Sequence, residues 1–306
     1  NKMALPLDPQ DLTIQEKHQI IRDLVVTNKD DRSQSRARID EKSQMFPYLI
    51  KDNIVYLPLN YSYDKLHLQC DIHDYPSEEY KFILPLRDYQ IDAQKHLLNL
   101  LTSYHTAVLS LHTGAGKSYV ALSLLPHINL KVCIIYHRNI ILNQWINSIQ
   151  TTLPGTKYQI IDSKTNLDSS VQIYLINKDT INKLPYDYFI EVGFLIVDEA
   201  HCFYTYKAVE AICHIQPVYS LALTASPDER DDGPQEILNF YFGNNRIVKD
   251  LYVKHDVYYL KTNFKPDKKL NKQGKLDWNH VLNSQAESKE RNAIIIKLVE
   301  FFKDRC

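Results

Sequence analysis

Short apolar segments alternate with helical patterns over most of the region from residue 85 to residue 250. The apolar segments lie near residues 107–111, 131–136, 171–176, 194–197 and 218–223. Such nearly continuous apolar runs are typical of strands that are buried on both faces, as they are in parallel sheets. The connections between them are long enough for the helical crossovers that parallel strands require. We therefore predict an α/β domain over residues 85–250, with an open parallel sheet flanked by helices.

Two further regions flank this predicted domain. Residues 1–84 are expected to form a small α+β accessory domain, with an amphipathic helix near residues 14–26. Its strand signals, which Pro, Asn and Asp turns separate, lie at residues 53–59, 65–72 and 81–84. Residues 251–306 are expected to be a linker followed by the start of a further domain. Because the tail reads as only the start of that domain, and the chain begins with Asn1 rather than Met, we expect it to be the N-terminal part of a longer protein.

A loop with two glycines follows the first predicted strand of the α/β domain. Its residues are Thr113, Gly114, Ala115, Gly116, Lys117 and Ser118. Backbone N–H groups of such a loop, at the start of a helix, can surround phosphate oxygens. Lys117 would add a positive charge for the outer phosphates, and the Ser118 hydroxyl would bind Mg²⁺. The loop predicts a nucleoside triphosphate site, with a simple helix-capping turn as the alternative.

Two adjacent acids, Asp198 and Glu199, follow the predicted strand at residues 194–197. The carboxyl ends of parallel strands line the crevice in which open α/β sheets bind ligands. Neighbouring residues on a strand point to opposite sides, so the two acids would have different roles. Asp198 would hold Mg²⁺, and Glu199 would orient and deprotonate the water that attacks the nucleotide. An isolated acid pair on a surface would carry no such meaning, but a position behind a buried strand favours catalysis.

A third string, Leu223-Thr224-Ala225-Ser226-Pro227, follows another predicted strand. With the glycine loop and the string Asp198-Glu199-Ala200-His201, it resembles the DEAH-box helicases of superfamily 2. The resemblance covers roughly residues 84–300. It implies a RecA-like first domain that hydrolyses ATP with Mg²⁺ and couples the reaction to movement on DNA or RNA.

The same resemblance gives roles to further residues. In this family, residues at the positions of His201, Thr224 and Ser226 couple the γ-phosphate to nucleic-acid binding. Upstream of the glycine loop, Leu86-Arg87-Asp88-Tyr89-Gln90 resembles a family element in which Gln90 would read the adenine edge through its amide. A position on the helix surface, without contact to a ligand, is the alternative for Gln90.

A fourth stretch, Val132–Arg138, resembles the family motif in which a strand ends in a phosphate-contacting turn. Arg138 would contact backbone phosphates of the nucleic acid, together with Thr180 in the turn after the next strand. His137 stands where the family usually has Pro, and a solvated turn residue is the alternative for Arg138. We interpret Trp145, in the following helix, as core packing rather than as a base-stacking residue.

The segment Pro227–Gly233 and the tail residues Trp278–His280 and Arg291–Asn292 most resemble the transcription-type helicases of large cytoplasmic DNA viruses, such as poxviruses and asfarviruses. This branch implies a role in viral transcription, with the viral transcription machinery as a partner, in the host cytoplasm or the virion. Five cysteines without a C-x-x-C pair favour a reducing compartment. No apolar stretch reaches transmembrane length, so no membrane partner is expected.

The charge of the chain leaves the partner open. The formal net charge is −1 at pH 7, which does not by itself demand nucleic acid. Residues 249–275 carry eight Lys against three Asp, which fits either a solvated linker or a phosphate-contacting arm. The alternative function is a non-motor P-loop nucleotide switch, or a small-molecule kinase with a protein-binding accessory domain.

The sequence also lacks one element of the family. In the second RecA-like domain of such motors, a Q-x-x-G-R-x-x-R-like string carries the arginine finger. No such string follows residue 230. We therefore expect the chain alone to be weakly active or inactive as an ATPase.

Overall fold

The computed structural model describes residues 4–27, 44–68, 74–185, 187–203, 206–225, 235–249 and 259–303. The chain divides into two compact units, Asn1–Leu251 and Tyr252–Cys306. The first unit contains the N-terminal elements and a large parallel sheet with its helices.

The N-terminal elements form a small antiparallel sheet with two helices. In chain order they are β1 (Ala4–Leu7), α1 (Ile14–Asp23), β2 (Val26–Thr27), β3 (Gln44–Met45), β4 (Leu49–Lys51), β5 (Ile54–Pro58) and α2 (Leu59–Leu66). The sheet order is β1-β5-β4, and β2 pairs with β3. Helix α1 begins with a capping box between Thr13 and Glu16, which satisfies free backbone donors at its first turn. Its buried Ile20 packs in a separate small core with Leu57 and Tyr61.

Part of the secondary structure predicted here is wrong. Most of the helix near 14–26 and of the strand at 53–59 is confirmed by α1 and β5, but Val26 lies in a strand, and β1, β2, β3 and β4 were not predicted. Lys65 and Leu66 end a helix rather than begin a strand, and residues 69–72 lie outside the described part. Leu59, Tyr61 and Ser62 are the buried residues of that helix, so its packed residues precede the stretch that was predicted as a strand. Residues 81–84 form no strand.

The α/β region follows in the order expected for parallel strands. Its elements are α3 (Asp88–Tyr104), β6 (Thr106–Leu111), α4 (Lys117–Ser123), α5 (Leu125–Ile128), β7 (Val132–Tyr136), α6 (Asn139–Thr152), β8 (Tyr158–Ile161), β9 (Ile173–Asn177), α7 (Lys178–Ile181), β10 (Phe194–Val197), α8 (Tyr206–Cys213), β11 (Tyr219–Thr224), α9 (Gln235–Phe242) and β12 (Arg246–Lys249). Seven parallel strands form one sheet in the order β12-β6-β11-β10-β7-β9-β8. The predicted open parallel sheet flanked by helices is confirmed.

The centre of the sheet is buried on both faces. Every residue of β6, β7 and β10 is buried, and two apolar clusters cover the faces. Helices α3, α4 and α6 contribute to one cluster, and α8 and α9 contribute to the other. The five predicted strands correspond to β6, β7, β9, β10 and β11, which occupy the interior of the sheet. The two strands that were not predicted, β8 and β12, are its edges.

The N-terminal elements pack against the end of the α/β region. Tyr61 of α2 contacts Phe240 of α9 edge to face, with ring centroids 5.9 Å apart. The hydroxyl of Tyr241 donates a 3.0 Å hydrogen bond to the carbonyl of Pro47. These contacts connect the small antiparallel sheet to the helix that precedes the edge strand β12.

The second unit contains α10 (Trp278–Glu287) and α11 (Lys289–Phe302) in its described part. Asp277 and Ser288 are the N-cap residues of the two helices, and each side chain accepts a hydrogen bond from a backbone N–H of the first turn. Across the described residues of both units, no helix combines the length and apolar character needed to cross a bilayer.

Candidate nucleotide-binding site

The glycine loop joins the end of β6 to the start of α4, at the carboxyl edge of the sheet. Gly114 and Gly116 have φ angles of +85° and +80°, in the left-handed region that other residues rarely adopt. Lys117 is the first residue of α4, and its Nζ donates a 3.0 Å hydrogen bond to the carbonyl of Leu111. The loop thus presents backbone at a helix start with a buried ammonium group beside it, as phosphate binding requires.

Gln90 lies directly behind the loop. Its side chain is 4% exposed, so Gln90 does not lie on the exposed surface of the helix, which was the alternative position. Its Nε2 donates to the carbonyl of Ala115 at 3.1 Å, and its Oε1 accepts from the N–H of Arg87 at 2.9 Å. The Tyr89 hydroxyl donates to the same Ala115 carbonyl at 2.9 Å. The start of α3 therefore holds the loop through two side chains.

A cavity of about 250 Å³ opens beside the loop. Its lining residues are Leu84, Pro85, Arg87, Gln90, Gly114, Ala115, Gly116 and Tyr119. Apolar, amide and aromatic groups surround a space next to a phosphate-binding loop. This arrangement is suited to a planar base, with the Gln90 amide on its wall.

Asp198 follows β10 and is 7% exposed. Both of its carboxylate oxygens accept hydrogen bonds: Oδ2 from the Trp145 indole Nε1 at 2.8 Å, and Oδ1 from the Glu199 N–H at 2.9 Å. Burial raises the pKa of this carboxyl, and the charge of Glu199 adds to that effect. The Trp145 hydrogen bond and the positive charge of Lys117 act in the opposite direction.

Glu199 has a left-handed backbone with φ 50° and ψ 50°, an unfavourable conformation for a residue with a side chain. Its Oε2 lies 3.2 Å from Nδ1 of His201. The same His201 nitrogen lies 3.2 Å from Oγ1 of Thr224, which is fully buried at the end of β11. One imidazole therefore contacts both the second acid and the threonine of the third string.

The strand order explains this convergence. Strand β11 lies between β6, which leads into the glycine loop, and β10, which leads into the two acids. Thr224 is paired with Ser110 of β6, and Val197 of β10 is paired with Ala222 of β11. All three predicted strings therefore begin at the same edge of the sheet on adjacent strands. Ser226 and residues 227–233 lie outside the described part of the chain.

The two residues predicted to contact nucleic acid lie farther along the same edge. Arg138 is exposed and precedes α6, and Thr180 lies in the short helix α7 after β9. Next to Arg138 in the chain, His137 has a lowered pKa, caused first by burial and then by the charges of Lys178 and Arg138. Tyr136 of β7 is paired with Asn177 of β9, so Lys178, which sequence reasoning missed, follows the end of the strand beside the one that leads to Arg138.

Oxygen ligands are what Mg²⁺ requires, and the site offers the Ser118 hydroxyl and the Asp198 carboxylate. The buried Asp198 carboxyl, whose raised pKa reflects lost solvation, would be stabilised in its ionised form by a cation. Ser118 and Asp198 therefore offer ligands of the kind that Mg²⁺ binds. Sequence reasoning missed the contact of Trp145 with Asp198, although it correctly expected Trp145 to be buried.

Comparisons with known proteins agree with this geometry. Residues 83–229 match the family described as "Type III restriction enzyme, res subunit". The chain is 32% identical over 235 residues to the candidate helicase 161L of Invertebrate iridescent virus 6, covering 74% of this chain and 52% of that protein. It is 27% identical over 206 residues to QP509L of African swine fever virus, a candidate ATP-dependent RNA helicase, covering 65% of this chain and 39% of that protein.

A solved structure shows the same fold. The UvsW helicase of bacteriophage T4 superposes with a TM-score of 0.51 and 17% identity, over 78% of this chain and 95% of that one. The region of the parallel sheet therefore has a RecA-like fold, and the predicted resemblance to viral helicases is confirmed. The family match spans about half of this chain, and the chain spans about half of the iridescent virus relative.

Proposed function

We propose that this protein is an ATP-dependent motor that moves on nucleic acid as a helicase or translocase. The observation that carries the proposal is the meeting of three strings at one sheet edge. The glycine loop and the acids Asp198 and Glu199 follow strands that flank β11, and His201 contacts both Glu199 and Thr224. His201 would thus connect the acid that acts on the nucleotide, Glu199, with Thr224 at the end of β11.

In this proposal each residue of the site has a defined role. The N–H groups of residues 114–118 and the Lys117 ammonium bind the phosphates, and Gln90 and its cavity take the base. Ser118 and Asp198 would hold Mg²⁺, which when bound offsets charge on the phosphates. Glu199 orients the attacking water and accepts its proton. These acids belong to a D-E-A-H string, and we assign the protein to that subtype.

His201, Thr224 and Ser226 would couple the nucleotide to nucleic-acid binding. The 3.2 Å contacts of His201 with Glu199 and Thr224 support this role, because a change at the water-orienting acid reaches the imidazole directly. Arg138, Lys178 and Thr180 would contact backbone phosphate and sugar along the same edge, with little sequence preference.

The biological setting is also part of the proposal. The relatives reported above are viral proteins, and one is described as an ATP-dependent RNA helicase. We therefore propose a role in viral transcription, with DNA or RNA and the viral transcription machinery as partners. This role would place the protein in the host cytoplasm or the virion.

The test is ATP hydrolysis by the protein from its complete reading frame, with and without single-stranded DNA or RNA. We expect nucleic acid to stimulate hydrolysis, and Glu199→Gln to remove the stimulated rate while ATP still binds. Phosphate transfer to a small molecule, without any effect of nucleic acid, would instead indicate a kinase. ATP binding that persists in Glu199→Gln with unchanged biological activity would indicate a non-motor switch.

A further inference from the structure

Trp145 lies on α6 and is 1% exposed, so its side chain belongs to the core between that helix and the sheet. A buried indole N–H needs an acceptor, and here the acceptor is a carboxylate oxygen of Asp198 at 2.8 Å. The chain has 2 Trp, and the other one, Trp278, is 66% exposed in the second unit. Packing alone would not require the indole to point at the acid of the candidate magnesium site.

The Trp145 hydrogen bond completes a set of contacts that fixes Asp198. The backbone N–H of Asp198 donates to the carbonyl of Ile135 on β7 at 3.0 Å, and Oδ1 accepts from the Glu199 N–H. The indole holds the remaining oxygen, Oδ2. Each carboxylate oxygen can accept two hydrogen bonds, so both keep capacity for a cation or its water.

We infer that Trp145 is a positioning residue for the magnesium–nucleotide complex and acts by orienting the Asp198 carboxylate. This inference rests on the proposed ATP site. The hydrogen bond to a carboxylate acceptor is of the strong, charge-assisted kind, and at 2.8 Å it fixes the orientation of the Asp198 side chain. Partners that orient metal ligands in this way typically change metal affinity by about 10–100-fold when they are removed.

The test is Trp145→Phe, which removes the N–H donor and keeps an aromatic ring, with Trp278→Phe as the matched control. Binding of a fluorescent ATP analogue to the 306-residue chain is measured during a Mg²⁺ titration and again in EDTA. We expect Trp145→Phe to raise the Mg²⁺ concentration for half-maximal binding by about 10-fold or more. Binding in EDTA should stay within about 2-fold of the unaltered chain, and Trp278→Phe should change neither value.

A double-mutant cycle separates positioning from packing. In an Asp198→Asn background, Trp145→Phe should cause no further change in the Mg²⁺ dependence, because the interaction it removes no longer supports a charged ligand. An equal loss of binding with Mg²⁺ and in EDTA, or a full effect of Trp145→Phe in the Asp198→Asn background, would overturn the inference. Absence of any nucleotide binding by the unaltered chain would overturn the proposed ATP site and the inference together.

Fluorescence gives a measurement that does not depend on the Trp145→Phe protein folding. In Trp278→Phe, Trp145 is the remaining indole of the chain. Mg²⁺ added to the nucleotide-bound Trp278→Phe protein should change the Trp145 emission, and Asp198→Asn should abolish the change. An emission spectrum that is the same with Mg²⁺ and with EDTA would contradict the inference.

Discussion

Substituting the two glycines of the phosphate loop by alanine should have unequal effects on stability. Both have left-handed φ angles, so alanine at either position should cost about 1–2 kcal/mol of the free energy of unfolding. A Cβ at Gly114 would have open space within 4 Å. A Cβ at Gly116 would lie 2.6 Å from Nε2 of Gln90 and 3.2 Å from Cδ2 of Tyr119.

The Gly116 clash is costly because Gln90 is held in place. Its amide is buried and makes hydrogen bonds to the Ala115 carbonyl and the Arg87 N–H. Moving it away would break both bonds, at about 0.5–1.5 kcal/mol each. We therefore expect Gly116→Ala to lower the free energy of unfolding by about 2–5 kcal/mol, against about 1–2 kcal/mol for Gly114→Ala.

The measurement is urea unfolding of the chain without nucleotide, compared between the two variants. A second pair of variants in a Gln90→Ala background lacks the clashing amide and keeps the 3.2 Å approach to Tyr119. There Gly116→Ala should lose most of its excess cost over Gly114→Ala. If the two alanine substitutions lower the free energy of unfolding equally in the protein that keeps Gln90, the packing of Gln90 against the loop is refuted.

Three further predictions concern activity. In the protein from the complete reading frame, Lys117→Ala should weaken ATP binding, whereas Glu199→Gln should keep binding and slow turnover by about 10²–10⁴-fold; near-normal turnover would exclude Glu199 as the base. Arg138→Ala should lower the affinity for all nucleic-acid sequences alike, and it should reduce the slope of log affinity against log salt concentration by about 1. An altered sequence preference with an unchanged slope would contradict this prediction. Residues 1–306 contain no string like the one that carries the arginine finger, a residue that raises the hydrolysis rate by about 10³–10⁵-fold in GTPases. This chain alone should therefore hydrolyse ATP little, and robust hydrolysis that nucleic acid stimulates in the pure chain would contradict the prediction.

The interior of the sheet could be predicted because its strands are almost entirely buried and mostly apolar. Strands β8 and β12 were not predicted, because these short edge strands are partly exposed and contain polar as well as apolar residues, as in Arg246-Ile247-Val248-Lys249. Helix α2 was not predicted, and the strand expected at residues 65–72 overlaps only its last two residues, Lys65 and Leu66.

The candidate site shows the same division between local and long-range information. Glycine, lysine and acid positions were predictable, since each string follows its own strand within a few residues. The contacts of Gln90 with Ala115 and of Trp145 with Asp198 join residues 25 and 53 positions apart, so no local pattern reports them. For Trp145 one signal existed: Phe194, Ile196 and Asp198 share a face of the strand by period two, and α6 covers that face.

Hydrogen exchange with and without ATP and Mg²⁺, measured by mass spectrometry on the chain, tests the central claim most directly. If the nucleotide binds where the three strings meet, amides of residues 111–118 and 198–201 should exchange more slowly with nucleotide. Lys117→Ala should abolish this protection, and the amides of α1 should be unaffected in both proteins. Protection that is absent, or that lies outside the carboxyl edge of the sheet, would contradict the assignment of this edge as the ATP site.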